Sequence, residues 1–303
     1  MLGDIFRTLP QYLIPHHALS RLIYKVMRIR LPFFKNALTA WFVKQYKVDM
    51  SQAINPDVKG YPDFNHFFTR ELRADARPIV DAANAIVSPV DGRISEVGII
   101  NNDTIVQAKN HSYSLLTLLG GNASLAERFN NGSFVNIYLS PSDYHRIHMP
   151  VTGTLKSMTY IPGRLFSVSP SAVRSVPRLF ARNERVVSLF ESELGYFAMV
   201  KVGALFVSSI DTVWQGAITP HRKYSWGAPR KKCPWGAPRR SKSLESWHYD
   251  ETSQITLQRG EEAARFNMGS TVILLFEPGK LTWQQDLQPH RPVKLGELIA
   301  TTP

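Results

Sequence analysis

The sequence has a single cysteine and no long apolar run, and these two absences narrow the classes of protein it could encode. Cys233 is the only cysteine among 303 residues, so no disulfide can form within the chain and a reducing compartment is expected. No run of roughly eighteen apolar residues occurs, so no transmembrane helix is predicted. The N-terminal residues MLGDIFRTLPQYLIPHH lack a basic start and contain two prolines, so they do not resemble a secretory signal peptide.

Acidic residues are almost missing from two segments, and this concentrates the positive charge. The net charge is +12. Residues 1–48 contain eight Lys or Arg and one acid, and residues 221–242 contain eight Lys or Arg and no acid. The remainder of the chain is therefore slightly acidic. Two basic segments on such a body suit an anionic partner, either a lipid surface or nucleic acid.

Two helices are predicted near the N-terminus. Apolar side chains recur at helical spacing in residues 17–30, and basic residues lie off that stripe. A second helix is predicted from Pro32 to Lys47, because proline is favoured in a first helical turn. Helices with aromatic anchors and basic flanks bind at membrane interfaces, but they can also pack on a protein's own core, and the pattern alone favours neither.

The remainder of the chain is rich in candidate strands from about residue 86, separated by Gly, Pro, Asn and Asp. We therefore predict an α+β fold, with an amphipathic helical N-terminal region at 1–72 and a β-sheet-dominated catalytic domain at 73–303. Residues 61–72 are predicted to form a short helix or a bridging segment. The predicted strands are GRISEVGII, SFVNIYLS, GTLKSMTYI, RVVSLFES, GYFAMVKVGALFVSSI and STVILLF.

A basic near-repeat stands out within residues 224–242. WGAPRKK at 226–232 recurs as WGAPRRS at 235–241. Two copies are too few for a solenoid, and the Gly, Pro and charge content indicates an exposed loop. The loop is interpreted either as a tolerated insertion or as a tryptophan-bearing membrane contact.

Four short motifs contain the candidate functional residues. SPVDGRIS places Asp91 in a turn, YLSPSDYHRIHMP carries His145 and His148, and FNMGSTVILLF places Gly269 and Ser270 before an apolar strand. FARNER at 180–185 is a dense polar cluster. Each motif alone has a structural interpretation, since Asp91 or the G-S-T triplet could simply form a turn. The two histidines have no further ligand at metal-binding spacing, so no metal site is predicted.

Together these motifs resemble the phosphatidylserine decarboxylases, specifically the bacterial membrane-associated type. FVKQYKVDM, FNHFFTREL, YIPGRLFSV and MGSTVILLFEPGK add to the resemblance, which follows the family's order over nearly the whole chain. Met268 stands where the family usually has leucine, a nearly volume-conserving change. The basic near-repeat at 224–242 does not match the family pattern.

The resemblance implies a proenzyme that makes its own cofactor. Ser270 would attack the carbonyl carbon of Gly269, splitting the chain into Met1–Gly269 and Ser270–Pro303 and converting Ser270 into a pyruvoyl group. His148 would be the base and Asp91 would orient it, as in Ser-His-Asp hydrolases. The pyruvoyl group would form a Schiff base with phosphatidylserine and accept electrons as CO2 leaves, giving phosphatidylethanolamine. The resemblance assigns His145 to this decarboxylation step, and no external cofactor is expected.

The resemblance also implies partners and a location. The substrate would be phosphatidylserine, and the anionic membrane surface would be a second partner. The N-terminal helices would hold the enzyme on the cytoplasmic face of the bacterial inner membrane, with basic residues adding about 1 kcal/mol each near an anionic surface. The two cleaved chains would remain a heterodimer, which could dimerise further, and no nucleic-acid partner is expected.

Two other classes of function were weighed against this one. A serine hydrolase could use Ser270, His148 and Asp91 without self-cleavage, but the chain lacks the G-x-S-x-G motif of α/β-hydrolases. A basic nucleic-acid-binding protein could use the Trp and Arg residues of the near-repeat, but no signature of a nucleic-acid-binding fold occurs. Both rank below the decarboxylase.

Overall fold

The first four helices precede the strands, as the α+β prediction expected, and four further helices lie between strands. The computed structural model describes residues 2–108, 111–205, 209–219, 243–267 and 269–303. The near-repeat loop predicted at 224–242 therefore lies outside the described residues. The helices are α1 (Leu2–Thr8), α2 (His16–Val26), α3 (Pro32–Tyr46), α4 (Phe64–Phe68), α5 (Leu115–Leu118), α6 (Ala123–Phe129), α7 (Pro170–Ser175) and α8 (Leu179–Arg182).

The N-terminal helices bury polar residues and expose apolar ones. α2 buries His16 and Ser20, and α3 buries Lys35 and Thr39 together with Phe42. The apolar stripe predicted for residues 17–30 is partly buried: Met27 packs against the small core around Phe42, whereas Leu22 is 57% exposed. Among the described helices, none combines the length and the apolar character needed to cross a membrane.

Exposed apolar side chains concentrate in the same helical region. Of the fifteen large apolar side chains that are exposed among the described residues, ten lie within the first 54 residues. Phe33 is 90% exposed and Trp41 is 56% exposed, both on α3. Isolated exposed apolar residues are ordinary, but a concentration of them marks an interaction surface.

The short helix α4 lies between the N-terminal helices and the strands in sequence and packs on α3. Asp63 caps α4 by accepting a hydrogen bond from the backbone N–H of His66 at 3.0 Å. Phe64, Phe67 and Phe68 of α4 pack with Phe42 of α3 in a small aromatic core. The segment predicted as a short helix or a bridge is thus a helix over part of its length.

The described chain after α4 forms antiparallel sheets together with helices α5 to α8. The largest has the order β12-β7-β8-β9-β15-β5-β2-β17, and β13 also pairs with β7. The predicted strands are confirmed, except that the long strand predicted from Gly195 ends at Val202 and the next strand begins at Ile210. The strands are β1 (Ala85–Val87), β2 (Gly92–Ile99), β3 (Thr104–Ala108), β4 (His111–Ser114), β5 (Ser133–Tyr138), β6 (Arg146–His148), β7 (Gly153–Ile161), β8 (Arg185–Ser192), β9 (Gly195–Val202), β10 (Ile210–Thr212), β11 (Gly216–Ala217), β12 (Glu245–His248), β13 (Thr256–Leu257), β14 (Glu262–Phe266), β15 (Thr271–Phe276), β16 (Thr282–Trp283), β17 (Pro292–Val293) and β18 (Leu298–Thr301).

Strand β15 lies inside the largest sheet. It pairs with β5 on one side and with β9 on the other, and every one of its residues is buried. A continuous apolar run is what a strand covered on both faces requires. This position fixes the residues immediately before β15, which include Gly269 and Ser270.

A lysine is buried in the core beside β15. Lys201 of β9 lies opposite Val272 and is fully buried. Its ammonium donates a hydrogen bond to Ser188 Oγ at 2.6 Å and lies 5.8 Å from the ring centre of Trp214. Burial lowers the pKa of Lys201 to about 7, since no nearby charge compensates the loss of solvent.

Two side chains of the FARNER motif bond the backbone of neighbouring segments. The guanidinium of Arg185 donates to four backbone carbonyls, those of Thr117, Leu118, Ala181 and Asn183. The side chain of Asn183 bonds both the N–H and the carbonyl of Phe166. The motif therefore fixes the loop that follows β7.

Candidate active site

The Gly269–Ser270 peptide is the centre of the candidate site. It lies between β14 and β15, and the Ser270 carbonyl accepts a hydrogen bond from the Leu139 N–H at 2.9 Å. Ser270 is 0% exposed, and its hydroxyl has no hydrogen-bond partner among the described residues. A buried hydroxyl without a partner is uncommon, because it loses its hydrogen bonds to water without replacement. It is therefore available for chemistry.

His145 lies against this peptide. A methyl group built on Gly269 would be 3.7 Å from His145 Nε2. The Nδ1 atom lies 2.7 Å from the Asp143 carbonyl oxygen, so Nδ1 carries the proton and donates it, which leaves Nε2 as an acceptor. Nε2 has no partner among the described residues. The neutral ring thus presents a free lone pair beside the Gly269–Ser270 peptide.

The surroundings of His145 keep the ring neutral. Burial lowers its pKa to about 3, the Asp143 carbonyl opposes this effect, and the positive charge of Arg70 adds to it. The ring of Phe68 packs against it with 4.1 Å between centroids. Helix α4 therefore covers the histidine and excludes water from it.

His148 lies on β6 and makes other contacts. Its Nδ1 donates to the Gly260 carbonyl at 2.8 Å, and its Nε2 lies 3.3 Å from the hydroxyl of Tyr144. Burial lowers the pKa of His148, and the Gly260 carbonyl partly opposes this. Within the described part of the chain, His148 has no hydrogen bond to Ser270 or to Asp91.

Asp91 is paired with an arginine. Its carboxylate accepts from the guanidinium of Arg77, with Nε to Oδ1 at 2.8 Å, and from the Leu295 N–H at 2.9 Å. Both side chains of the pair are about nine-tenths buried. The backbone N–H of His148 bonds the Pro89 carbonyl, so the Asp91 turn and His148 are close in space although their side chains are not bonded.

The structure thus brings two of the four predicted side chains close together at the Gly269–Ser270 peptide. His145 and Ser270 meet at Gly269, whereas Asp91 and His148 are held by other partners. Sequence reasoning missed the Arg77 and Tyr144 contacts. Tyr144 lies within the histidine motif and could have been considered from it, but nothing in the sequence connects Arg77 with Asp91.

A cavity borders Gly269. It has a volume of about 200 Å³ and lies between the N-terminal helices and the sheets. Helices α3 and α4 contribute aromatic walls, and the loop fixed by the FARNER motif contributes Ser167 and Ser169. The lining residues are Phe42, Tyr46, Phe68, Tyr138, Leu139, Pro141, Ser167, Val168, Ser169, Ala204, Leu205 and Gly269.

Comparison with known proteins identifies the family. The family model described as phosphatidylserine decarboxylase matches residues 64–301, and a model described as PSD matches residues 6–47. The chain is 48% identical over 294 residues to the phosphatidylserine decarboxylase proenzyme of Pseudomonas fluorescens SBW25, with 96% of each chain covered. It is also 48% identical over 292 residues to the proenzyme of Bordetella pertussis Tohama I, covering 96% of this chain and 92% of that one. Matches of this extent show that the chain belongs to the phosphatidylserine decarboxylase family.

Proposed function

We propose that this protein converts phosphatidylserine into phosphatidylethanolamine and CO2, and that it first cleaves itself between Gly269 and Ser270. The observation that supports self-cleavage is the buried Ser270 hydroxyl, placed with Nε2 of His145 at one peptide bond; neither atom has a hydrogen-bond partner in the part of the chain that the structure describes. Family membership supports the decarboxylation, and the relatives are named proenzymes.

The cleavage reaction is an internal transfer followed by elimination. Ser270 Oγ attacks the carbonyl carbon of Gly269, and the C–N bond breaks to leave an ester. Loss of the Ser270 α-proton then breaks the Cβ–Oγ bond, so that Gly269 keeps the oxygen as a carboxylate. Water replaces the nitrogen of the resulting dehydroalanine, and ammonia leaves. The products are a large chain ending at Gly269 and a small chain that begins with a pyruvoyl group.

The base for the first step follows from the family resemblance. We assign it to His148, oriented by Asp91, and assign His145 to proton transfer during decarboxylation. Because Nδ1 of His148 donates to Gly260, only Nε2 can act as the base. That role requires the 3.3 Å contact with Tyr144 to be exchanged for one with Ser270. Orientation by Asp91 requires its carboxylate, which is bonded to Arg77 and Leu295, to replace the Gly260 carbonyl at Nδ1. His145, by contrast, already lies beside the peptide, with Nε2 3.7 Å from where a methyl group on Gly269 would be.

The two histidine roles are separable by substitution. With His148 as the base, His148→Asn remains a single chain while His145→Asn still cleaves and then fails to release CO2. If His145→Asn blocks cleavage and His148→Asn does not, the assignment is reversed. Gel electrophoresis measures the first step, and release of labelled CO2 measures the second.

The cavity beside Gly269 is proposed as the site of the phospholipid head group. A pyruvoyl group at residue 270 would border it, and when formed it would supply the electron sink for decarboxylation. The hydroxyl groups of Tyr138, Ser167 and Ser169 offer donors to an anionic head group. Phe42 and Phe68 exclude water, which strengthens electrostatic interactions in the site.

The exposed apolar residues of the N-terminal helices are proposed to enter the membrane interface, on the cytoplasmic face of the inner membrane. Phe33 and Trp41 would be buried among lipids, and the exposed Lys25 of α2 and Lys44 of α3 would meet anionic head groups. Burying one aromatic side chain contributes about 1.5–3 kcal/mol. Phe33→Ser should therefore weaken binding to anionic vesicles by roughly 10- to 100-fold.

A matched control exists on the sheet. Ile99 is 51% exposed at the end of β2, comparable with Trp41. Ile99→Ser should leave vesicle binding unchanged, whereas Trp41→Ser should weaken it. Equal binding by all three variants would exclude α3 as the membrane contact.

Intact-mass spectrometry tests the proposed function most directly. Two fragments separated after Gly269 are expected, with the small one lighter by one NH3 than a peptide starting with serine. Ser270→Ala should remain a single chain of 34.3 kDa and should release no CO2 from phosphatidylserine vesicles. A wild-type protein that stays intact, or one that is cleaved but does not act on these vesicles, contradicts the proposal.

A further inference from the structure

The FNHFFTREL motif places one asparagine in contact with the cleavage segment. Asn65 lies on α4, and its side-chain Nδ2 donates to Oδ1 of Asn267 at 2.8 Å. Asn267 lies two residues before Gly269. Both side chains are buried, and Asn267 is only 1% exposed. A hydrogen bond between residues so far apart in sequence therefore connects the helical region with the approach to the cleaved peptide.

The same asparagine is also anchored to the N-terminal helices. Its backbone N–H donates to the carbonyl of Met27, which follows α2, at 3.0 Å. Three residues further along α4, Phe68 packs on His145. Helix α4 thus contacts the site twice, through the Asn65 side chain and through the Phe68 ring.

The hydrogen bonds continue beyond Asn267 in one direction. The backbone N–H of Asn267 donates to the Ser209 carbonyl at 3.0 Å, and its side-chain Nδ2 donates to Ser209 Oγ. Ser209 Oγ in turn donates to Oδ1 of Asp211 at 2.8 Å. Both the backbone and the side chain of Asn267 are therefore held in place.

Asp211, the last residue in this series of hydrogen bonds, fixes which group donates and which accepts at each step. A carboxylate can only accept, so Ser209 must donate to Asp211 and accept from Asn267. The Asn267 amide must then turn its oxygen towards residue 65. Consequently residue 65 has to be a donor, and its role requires a specific chemical group as well as a shape.

We infer that Asn65 is a positioning residue for self-cleavage, which holds Asn267 and thereby the backbone that leads into the Gly269–Ser270 peptide. The inference rests on the proposed self-cleavage. Its physical basis is that attack of Ser270 on the adjacent carbonyl needs a defined backbone geometry, and a displacement of about 1 Å can lower a rate about 100-fold. Hydrogen bonds whose donors and acceptors are all satisfied specify one backbone geometry, whereas apolar packing alone would allow several.

Asn65→Asp removes the donor with almost no change in size. The ionised carboxylate would face Oδ1 of Asn267, and Asn267 could not turn over without losing Ser209. We expect self-cleavage to slow by about 100-fold, measured as the first-order appearance of the two fragments in a pulse-chase after cell-free synthesis of the full chain. Asn122→Asp adds the same charge at the N-cap of α6, where either residue caps equally well, and should cleave at the wild-type rate.

Reversing the hydrogen-bond chain provides a rescue. In Asn65→Asp/Asp211→Asn, residue 211 can donate to Ser209, Ser209 can donate to a turned Asn267, and Asn267 can donate to residue 65. The double variant should cleave itself at least tenfold faster than Asn65→Asp. Lower pH should also bring Asn65→Asp closer to the wild type between pH 8 and pH 5, because a protonated carboxyl can donate. A general loss of packing would give neither effect.

The outcomes separate this inference from the function on which it rests. A wild-type chain that forms no fragments overturns self-cleavage and the inference together. Wild-type cleavage with an unaffected Asn65→Asp variant overturns the inference alone, as does a double variant no faster than Asn65→Asp. Thermal unfolding of each variant combined with Ser270→Ala checks folding, and if Asn65→Asp does not fold, Asn65→Ala, which has no side-chain donor, is measured in its place and must also slow cleavage.

Discussion

Replacing the buried Lys201 with methionine should stabilise the protein at neutral pH. The pKa of Lys201 falls from its usual 10.5 to about 7 in the folded protein. At about 1.4 kcal/mol per pKa unit, this difference corresponds to roughly 5 kcal/mol of destabilisation at low pH, where the lysine is charged in both states. Leaving Ser188 without its partner would cost about 1–3 kcal/mol. A net stabilisation of roughly 2–3 kcal/mol at pH 7 remains.

The pH dependence supplies the sharper test of this reasoning. Between about pH 7 and pH 10 the unfolded chain binds the Lys201 proton and the folded chain does not, so the stability of the parent protein rises with pH. The advantage of Lys201→Met should therefore shrink as the pH rises. Urea unfolding, followed by fluorescence and circular dichroism at pH 7 and pH 9.5, measures it.

Two controls protect the interpretation. Ser270→Ala is used as the parent, so that every sample remains one covalent chain. Lys156 on β7 is partly exposed and pairs with Glu191 at 2.9 Å, so Lys156→Met should change stability by less than about 1 kcal/mol. A Lys201→Met protein less stable than its parent at pH 7, or one whose advantage is constant with pH, would refute the reasoning.

Three further predictions follow from the site. Arg77→Met leaves the buried Asp91 carboxylate without its partner and should lower the free energy of unfolding by about 3–5 kcal/mol in urea titrations; an unchanged midpoint would contradict a structural role for this pair. Gly269→Ala should fold with unaltered thermal stability in the Ser270→Ala background. The added methyl would lie at ordinary distances of 3.5 Å from Leu139 O and 3.7 Å from His145 Nε2. A large loss of thermal stability would show that the space around Gly269 is tighter than this. The His145 imidazole should show no NMR titration between pH 5 and pH 8, since its pKa is lowered to about 3. Its burial should also make stability fall as the pH drops below about 6.5, where the unfolded chain binds the proton that the folded chain excludes.

The strands and the main helices could be predicted because they depend on local patterns. β15 is a continuous apolar run that begins next to a small polar triplet, and α3 begins at Pro32. The strand predicted from Gly195 was too long. It ends at Val202, where the strand pairing stops, although apolar residues continue in the sequence. Periodicity records which residues are apolar, but it does not record where a ladder ends.

The burial of the N-terminal helices could not be predicted from the sequence. Periodicity assumes that apolar faces turn inward, yet α2 turns His16 and Ser20 towards the body. The candidate site was found through its motifs, but its contacts were not. The pairing of Asp91 with Arg77 and of Asn65 with Asn267 depends on tertiary contacts that no local spacing encodes.

The place of β15 between β5 and β9 determines whether the protein could refold after the proposed cleavage. A chain cut at the proposed position would keep the two ladders of β15, so the two pieces would remain joined without a covalent link. Once unfolded and separated, however, the pieces could reassemble only when two molecules meet, and the rate would depend on concentration. The proposed self-cleavage therefore requires this sheet to form while the chain is intact, when its formation is unimolecular.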